Sequence, residues 1–457
     1  MKKSICAVLI ASMLATTMAG CGSPTASDSS GSEAKTASSD STSIEAENQS
    51  TSDSEGDQVT VSVWGWNNAA YNQIFAKYHE EHPNVNIETV DVEWGDMLTK
   101  TQQALASGSE LPTLLMLDSS LMGSWKEMNV LEDLRKYGFD TTGYNQSLID
   151  ASTDADGKLI AYTTALCPAG MVYKRDLAKK YLGTDDPDEI QAMLTSVDDY
   201  AELGKKVHDE SNGSVYLFHS AQAVAEWLYF ASDVPNMKDD TTINMTEKMA
   251  DVLGGLKKLC DAGCVDSYQN GTPEANATYA DDTHIFYPCP DWAVAYYIVP
   301  NAPDSVGNWG MIKMPKSYSH AGGGGFGIAT SASDAEKQAA YDLLHWMISE
   351  EEGAKVSFEV TGTVTADPTI SSEDSFAERY PYKDLFAGED VYKLLYEDIV
   401  KEITYQVATK FDNDIISVRG DVAQQMVDNP DMTLDEAVKA ATEELSQVVT
   451  DPDVTVK

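Results

Sequence analysis

Basic residues are scarce in this chain: 31 lysines and arginines stand against 74 aspartates and glutamates. Such a surface repels nucleic acid and anionic lipid, so neither is expected as a partner. Cysteine is scarce too, with six in 457 residues. No paired CxxC and no nearby HxxxH supplies the ligands of a tetrahedral zinc site, and no metal or cofactor is expected. Catalytic signatures are equally thin. The chain has no G-x-S-x-G elbow, no H-E-x-x-H, no P-loop and no G-x-G-x-x-G opening a helix. After residue 21 no apolar run is long enough for the roughly 20 residues that cross a bilayer. There is no internal repeat.

What is present begins at the amino terminus. Lys2 and Lys3 precede an apolar run, Ile5 to Leu14, that closes in Thr17-Met18-Ala19-Gly20-Cys21. This reads as a secretory signal over residues 1–20, and the Ala-Gly-Cys end resembles a bacterial lipobox, in which Cys21 is acylated. Residues 22–57 are almost all Ser, Thr, Ala, Gly, Asp and Glu, with Ile44 the single large aliphatic side chain. They bury too little apolar surface to offset chain entropy, so residues 21–57 read as a lipid anchor and disordered tether. Without Lys2 and Lys3, 29 basic residues face 74 acidic ones, a net charge of −45. An acidic coat of this size favours a neutral or cationic ligand over a polyanion, while a Debye length of about 8 Å lets a local site differ from the global sign.

The remaining body, residues 58–457, is large enough for two sizeable domains. Thr60-Val-Ser-Val-Trp64 alternates as a strand does; Tyr71, Ile74, Phe75 and Tyr78 recur with helical spacing up to Pro83; Val85 to Val90 alternates again. A helix from Trp94 to Ala106 and the apolar run Leu114 to Leu117 complete a βαβαβ order. That order predicts a parallel sheet covered on both faces, with ligand outside the carboxyl ends of the strands. Those ends carry Trp64-Gly65-Trp66-Asn67, Glu93-Trp94 and Asp118-Ser119-Ser120. Further along, Ser196, Ser333 and Thr433 open helices, with a capping box at Ser333 to Glu336, and Ala339, Ala340, Leu343, Leu344 and Met347 form a buried stripe. Ile285 to Tyr287 and Gly325 to Ala329 read as strands.

Gly322 to Gly325 precedes a strand, which suits close backbone approach to a ligand or a hinge better than a phosphate cradle. Asp154-Ala-Asp156-Gly157 resembles part of a calcium loop, but Ser152 and Thr163 hold its end positions and it reads as a turn. Cys167, Cys260, Cys264 and Cys289 allow two disulfides in an exported protein, with three connectivities open. Trp64, Trp66, Trp94 and Trp292 fall at strand ends or in loops, where an indole can stack on the apolar face of a sugar ring while Asn67 and Asp118 take hydroxyls.

Several stretches together resemble the extracellular solute-binding proteins of family 1, the maltose-binding-protein-like sugar-binding lipoproteins of bacterial ABC importers. They are Thr60 to Trp64, Glu81-His-Pro-Asn-Val85, Leu105-Ala-Ser-Gly108 through Leu111-Pro-Thr-Leu-Leu115 to Val130-Leu-Glu-Asp-Leu134, Ala161-Tyr162 to Met171-Val-Tyr-Lys-Arg-Asp176, Tyr287-Pro-Cys-Pro-Asp-Trp292, Gly323-Gly324, and Val360 to Ala366. The resemblance implies an α/β, two-lobe fold of the type II periplasmic-binding-protein kind. Its hinged lobes would comprise residues 58–162 with 321–358, and 163–320 with 359–457, crossing near 158–170, 312–325 and 358–368. It implies a ligand cleft lined by Trp64, Trp66, Asn67, Trp94, Asp118, Ser119 and Ser120 on one side and by Cys167, Pro168 and Trp292 on the other, with Gly323 and Gly324 offering amides at the hinge. The implied function is capture of a neutral mono- or oligosaccharide by a monomeric, non-enzymatic, lipid-anchored protein on the outer face of the cell membrane, for delivery to an ABC permease. Cys-Pro at 167–168 and the missing Asp-Arg pair after Leu117 point away from maltose itself. An exported carbohydrate-active enzyme using two carboxylates, a binding protein for another neutral solute, and a scaffold without a small ligand are the alternatives.

Overall fold

The computed structural model describes residues 58–319, 324–371 and 374–457, without the side chains of 374 and 375. Cys21, the signal, the tether and Gly323 lie outside them. Eight of the eleven strands among the described residues frame the site: β1 (Val59–Gly65), β2 (Val85–Asp91), β3 (Leu114–Leu117), β4 (Tyr162–Thr163), β5 (Ala169–Lys174), β6 (Phe286–Pro290), β7 (Trp309–Ile312) and β8 (Gly325–Ile328).

The first sheet runs β2-β1-β3-β8-β4. β1 pairs in parallel with β2, Val59 opposite Val85, and with β3, Val63 opposite Leu114. β8 lies antiparallel between β3 and β4. The sheet is therefore mixed where the βαβαβ order alone predicts a parallel one, because β8 returns from a distant part of the chain and enters from the opposite end. The period-2 pattern of β1 puts Val61 and Val63 in the core, whereas β3, central in the sheet, is buried at all four positions. The helix Asp334–Ser349 opens with the capping box at Ser333 and Glu336, and its stripe Ala339, Ala340, Leu343, Leu344 and Met347 packs against Val61, Val63, Phe326 and Ile328. Pro83 lies just past the end of the helix Asn68–Glu81, and Gly108, at φ 71°, ends the helix Met97–Ser107.

The second sheet, β6-β5-β7, is antiparallel throughout. All six residues of β5 are buried because both faces are covered. Met171 and Tyr173 join a core with Trp227, Leu253, Phe286, Ile415 and Leu445, and Val172 joins another with Tyr287, Trp309, Phe358 and Leu395. The late helices Asp412–Asp428 and Leu434–Val448 thus complete the cover of a sheet whose strands lie more than a hundred residues earlier.

The chain passes between the sheets twice by short routes: β4 ends at Thr163 and β5 begins at Ala169, and β7 ends at Ile312 before β8 starts at Gly325. Two glycines of the predicted run are required by strand packing. A Cβ on Gly324 would fall 1.5 Å from the Leu117 carbonyl oxygen, and one on Gly325 would fall 2.0 Å from that of Tyr162. The Asp154 segment is a turn, in which Asp154 Oδ1 accepts from the backbone amides of Asp156 (3.0 Å) and Lys158 (2.8 Å). Cys167, Cys260, Cys264 and Cys289 are all free thiols.

Candidate functional site

The carboxyl end of β3 runs straight into a tight turn. Asp118 Oδ1 accepts from the Ser120 amide (2.8 Å) and the Ser120 hydroxyl (2.5 Å), which fixes Asp118, Ser119 and Ser120 at the edge of the first sheet. The carboxyl end of β1 is followed by Asn67, in the left-handed region at φ 58° and at the N-terminus of the next helix. Asparagine tolerates that conformation better than most side chains. Its Nδ2 donates to the hydroxyl of Tyr296, on the short helix Val294–Ile298 after Trp292, so the two lobes touch there.

Between the sheets lies a cavity of about 530 Å³. Ser119, Ser120, Met122, Thr163 and Gly324 line it from the first sheet's side. Opposite them stand Tyr229 and Phe230 at the end of the helix Ala221–Ala231, then Asn236, Tyr318, Tyr405, Thr409 and Asp412. A smaller hollow of about 50 Å³ adjoins it, lined by His219, Glu226, Asn270, Trp292 and Tyr297, and it shares Tyr318 with the larger cavity. A space of this size suits a small molecule, and its wall is largely polar, with the rings of Tyr229, Phe230, Tyr318 and Tyr405 set among serine, threonine, amide and charged side chains.

Three ion pairs flank it, while Asp412 in its wall has no basic partner within ion-pair distance among the described residues and burial raises its carboxyl above the ordinary range. Arg419 lies 3.6 Å from Glu226, Lys316 pairs with Asp233, and Lys313 with Glu402. Burial, reinforced by the neighbouring His284, pushes the His219 imidazole down to about 4, so it is neutral at pH 7 and offers a donor and an acceptor. Its Nδ1 finds no partner among the described residues. Burial also raises the Cys167 thiol well above its ordinary range, and the Asp291 and Asp118 carboxylates add to the effect. That makes Cys167 a neutral group at φ 48° in the crossing between the sheets.

The structure brings the expected residues together only in part. Ser119, Ser120 and Gly324 line the main cavity and Trp292 lines the smaller hollow, whereas Asp118 and Cys167 are buried and line neither, the Asp118 carboxylate acting on the Cys167 thiol. Trp64 lies under the Lys100 ammonium, 4.4 Å from its ring centre, and packs with Trp66 against the core beneath β3. Trp94 is 40 % exposed and lines neither space. His219, Glu226, Phe230, Asn236, Tyr296, Tyr318 and Asp412 were not among the expected residues. The aromatic sequences Trp227-Leu-Tyr-Phe230 and Tyr296-Tyr297 were a signal for part of this set; Asn236 and Asp412 carry none.

Two α/β lobes with a ligand-sized space between their strand ends define a two-lobed binding fold of the type II periplasmic kind. The chain resembles a solved extracellular solute-binding protein of family 1 with a TM-score of 0.74 at 19% identity, over 85% of this chain and 99% of that one. It also resembles an ABC-transporter-associated binding protein of B. animalis subsp. lactis Bl-04, solved with β-1,6-galactobiose (0.68, 20%, 87% and 99%). A third likeness is the galacto-N-biose/lacto-N-biose I-binding protein of Bifidobacterium longum, solved with lacto-N-biose (0.68, 15%, 88% and 100%). The family model of the bacterial extracellular solute-binding proteins matches residues 73–381, and the chain belongs to that family.

Proposed function

We propose that this protein captures a neutral saccharide between its lobes and hands it to an ABC permease while tethered to the membrane by a lipid on Cys21. The lobes would be residues 58–162 with 321–358 and residues 163–320 with 359–457. The observation that carries the reading is the cavity itself, where aromatic faces from Phe230, Tyr318 and Trp292 stand beside hydroxyls, amides and carboxylates while Lys316 and Arg419 face carboxylates of their own. Sugar rings present an apolar face and a rim of hydroxyls, which this mixture matches. The similar proteins solved with β-1,6-galactobiose and lacto-N-biose support the ligand class. Closure of the lobes would shift the population toward the form that docks on the permease.

The test is a thermal-shift screen against neutral mono- and oligosaccharides, with amino acids and peptides as controls. A ligand at about 100 times its Kd adds roughly 2.7 kcal/mol to the folded state and moves the Tm visibly. A shift with one saccharide class, recovered intact, is the expected result; cleaved sugar would make the protein an enzyme, and no shift with any saccharide would remove the reading. Trp292→Ala should cost at least about 1 kcal/mol of binding if its ring stacks on the ligand.

A further inference from the structure

Between the short helix Val400–Glu402 and the helix Asp412–Asp428 the chain runs without regular structure, and residues 404–409 all line the main cavity. Among the described residues no backbone–backbone hydrogen bond involves residues 404–408. Side chains hold the segment instead. The Tyr405 amide donates to the Ser147 hydroxyl (2.9 Å), in the helix Gln146–Ala151, and the Tyr405 hydroxyl donates to the Leu166 carbonyl (2.8 Å). Gln406 Nε2 donates to the Ser232 carbonyl (3.3 Å), and Ala408 packs against the cluster of Leu115, Met122 and Trp125 beside the first sheet. At the far end Lys410 Nζ lies 3.5 Å from Glu127 and 3.0 Å from Asp451. Gly123, in the first turn of the helix Met122–Met128, is the seat for this end. A Cβ there would fall 2.1 Å from the Thr409 carbonyl carbon and 2.6 Å from the Lys410 amide nitrogen, and backbone atoms have no rotamer by which to move aside. Val407, between the held points, is exposed. A segment whose amides lack backbone partners opens at lower free energy than the strands and helices around it.

We infer that residues 403–410 are a strap over the cavity, with Gly123 and Ser147 as the positioning residues on which it seats, and that its lifting from the helix Met122–Met128 gives small molecules a way into the cavity separate from the parting of the lobes. Lifting breaks the Tyr405–Ser147 bond and the Lys410–Glu127 pair while Asn67 and Tyr296, at the other rim, stay joined. The strap governs access whichever molecule the cavity takes, so it stands or falls apart from the saccharide reading.

Ser152→Cys places a thiol at a buried position of the cavity wall, and its labelling by iodoacetamide in the whole protein reads how often the cavity opens, the four native thiols being followed separately by peptide mapping. On that background Gly123→Ala denies the strap its seat and should speed labelling at least about fivefold. Ser147→Ala removes one hydrogen bond and should speed it at least about twofold. Hydrogen exchange at residues 404–408 should rise in both variants while exchange in the helix Val197–Ser211 stays as in the wild type, which also shows that they are folded. Asn67→Ala loosens the lobes at the other rim. Two separate openings make rates add, so Gly123→Ala with Asn67→Ala should label at the sum of the two single-variant rates less the wild-type rate. Fold-changes that multiply mean one shared opening and overturn the strap. So does labelling that neither Gly123→Ala nor Ser147→Ala speeds, or wild-type exchange at 404–408 as slow as that of β5. Should Gly123→Ala fail to fold, Ser147→Ala takes its place in each comparison.

Discussion

Replacing His284 with glutamine should destabilise the second lobe by about 2–3 kcal/mol, and by an amount that depends on pH. His284 is 1% exposed, and both its nitrogens face carboxylates: Nε2 lies 3.1 Å from Asp266 and Nδ1 lies 3.0 Å from Asp281. Lys174 Nζ approaches the other Asp281 oxygen at 3.2 Å, and Thr283 donates to Asp281 as well. Burial works against the charged imidazole, but hydrogen bonds to Asp266 and Asp281 outweigh it and hold its pKa above the ordinary value. Burial likewise opposes the two carboxylates, yet the bonds from His284 and their other donors depress both. Breaking a fully buried ion pair costs about 3–5 kcal/mol. Here Asp281 keeps Lys174 and Thr283, and the side chains of Asp266 and Asp281 are 21% and 31% exposed, which brings the figure down. At roughly 2–4 °C per kcal/mol, Tm should fall by about 4–12 °C near pH 6. Because the folded pKa of His284 is raised, its stabilisation is fully present below the unfolded value of about 6.5 and is lost as pH rises through the folded pKa. The depressed carboxylates contribute above about pH 4 and lose that contribution as pH falls through their folded values. The Tm gap between wild type and variant, followed by scanning calorimetry, should therefore be widest from about pH 4.5 to 6.5 and should narrow toward pH 9. A gap constant from pH 5 to 9, or absent at pH 6, would refute the charged-cluster account.

Three further outcomes follow from the packing. Asn67→Ala and Tyr296→Phe each remove the hydrogen bond between the lobes; ligand dissociation measured by stopped flow should speed up about 3–10-fold, and the double variant should be no faster than either single one. Gly204→Ala lies inside the helix Val197–Ser211, where the exchange ordinarily gains about 1 kcal/mol. Its new Cβ would stand 2.0 Å from Cys264 Sγ, so urea denaturation should show a loss of about 1–3 kcal/mol instead. Burial pushes the Cys260 and Cys264 thiols up to about 12 and raises those of Cys167 and Cys289 as well, so all four should react slowly with iodoacetamide at pH 8 in the native protein and promptly in denaturant. Prompt labelling of the native protein, or fewer than four free thiols among them in denaturant, would contradict the structure.

Local pattern carried much of the fold. The alternation in β1, the capping box at Ser333, the helix start at Thr433, the apolar stripe from Ala339 to Met347 and the stops at Pro83 and Gly108 depend on neighbours within a few residues, and each could be read before any contact was known. The same holds for the part of the site at strand ends. Asp118, Ser119 and Ser120 stand where a parallel β3 must stop, and Trp292 is carried by the Tyr287-to-Trp292 stretch that resembles the family.

The antiparallel entry of β8 was not legible, because strand direction depends on how the chain crosses between the lobes. The glycine run showed that a close approach was needed but not that, for Gly324 and Gly325, the approaching atoms are the carbonyls of Leu117 and Tyr162. Trp94 looks in sequence like Trp292, an indole near a predicted strand end. Only its exposure and its place outside both cavity walls set it apart.

By itself, then, the sequence determined the elements with their caps, the acidic character of the chain and one rim of the cleft, since these rest on local spacing and composition. Tertiary structure alone decided the opposite wall. His219, Glu226, Asn236, Tyr318 and Asp412 are spread over almost 200 positions on different helices and loops, and they become neighbours only when the late helix Asp412–Asp428 docks beside Ala221–Ala231. The physical reason is that a helix buries its apolar stripe with the same free energy wherever it docks. The polar residues it carries to the cleft are fixed by the packing of the whole lobe, which no local pattern encodes.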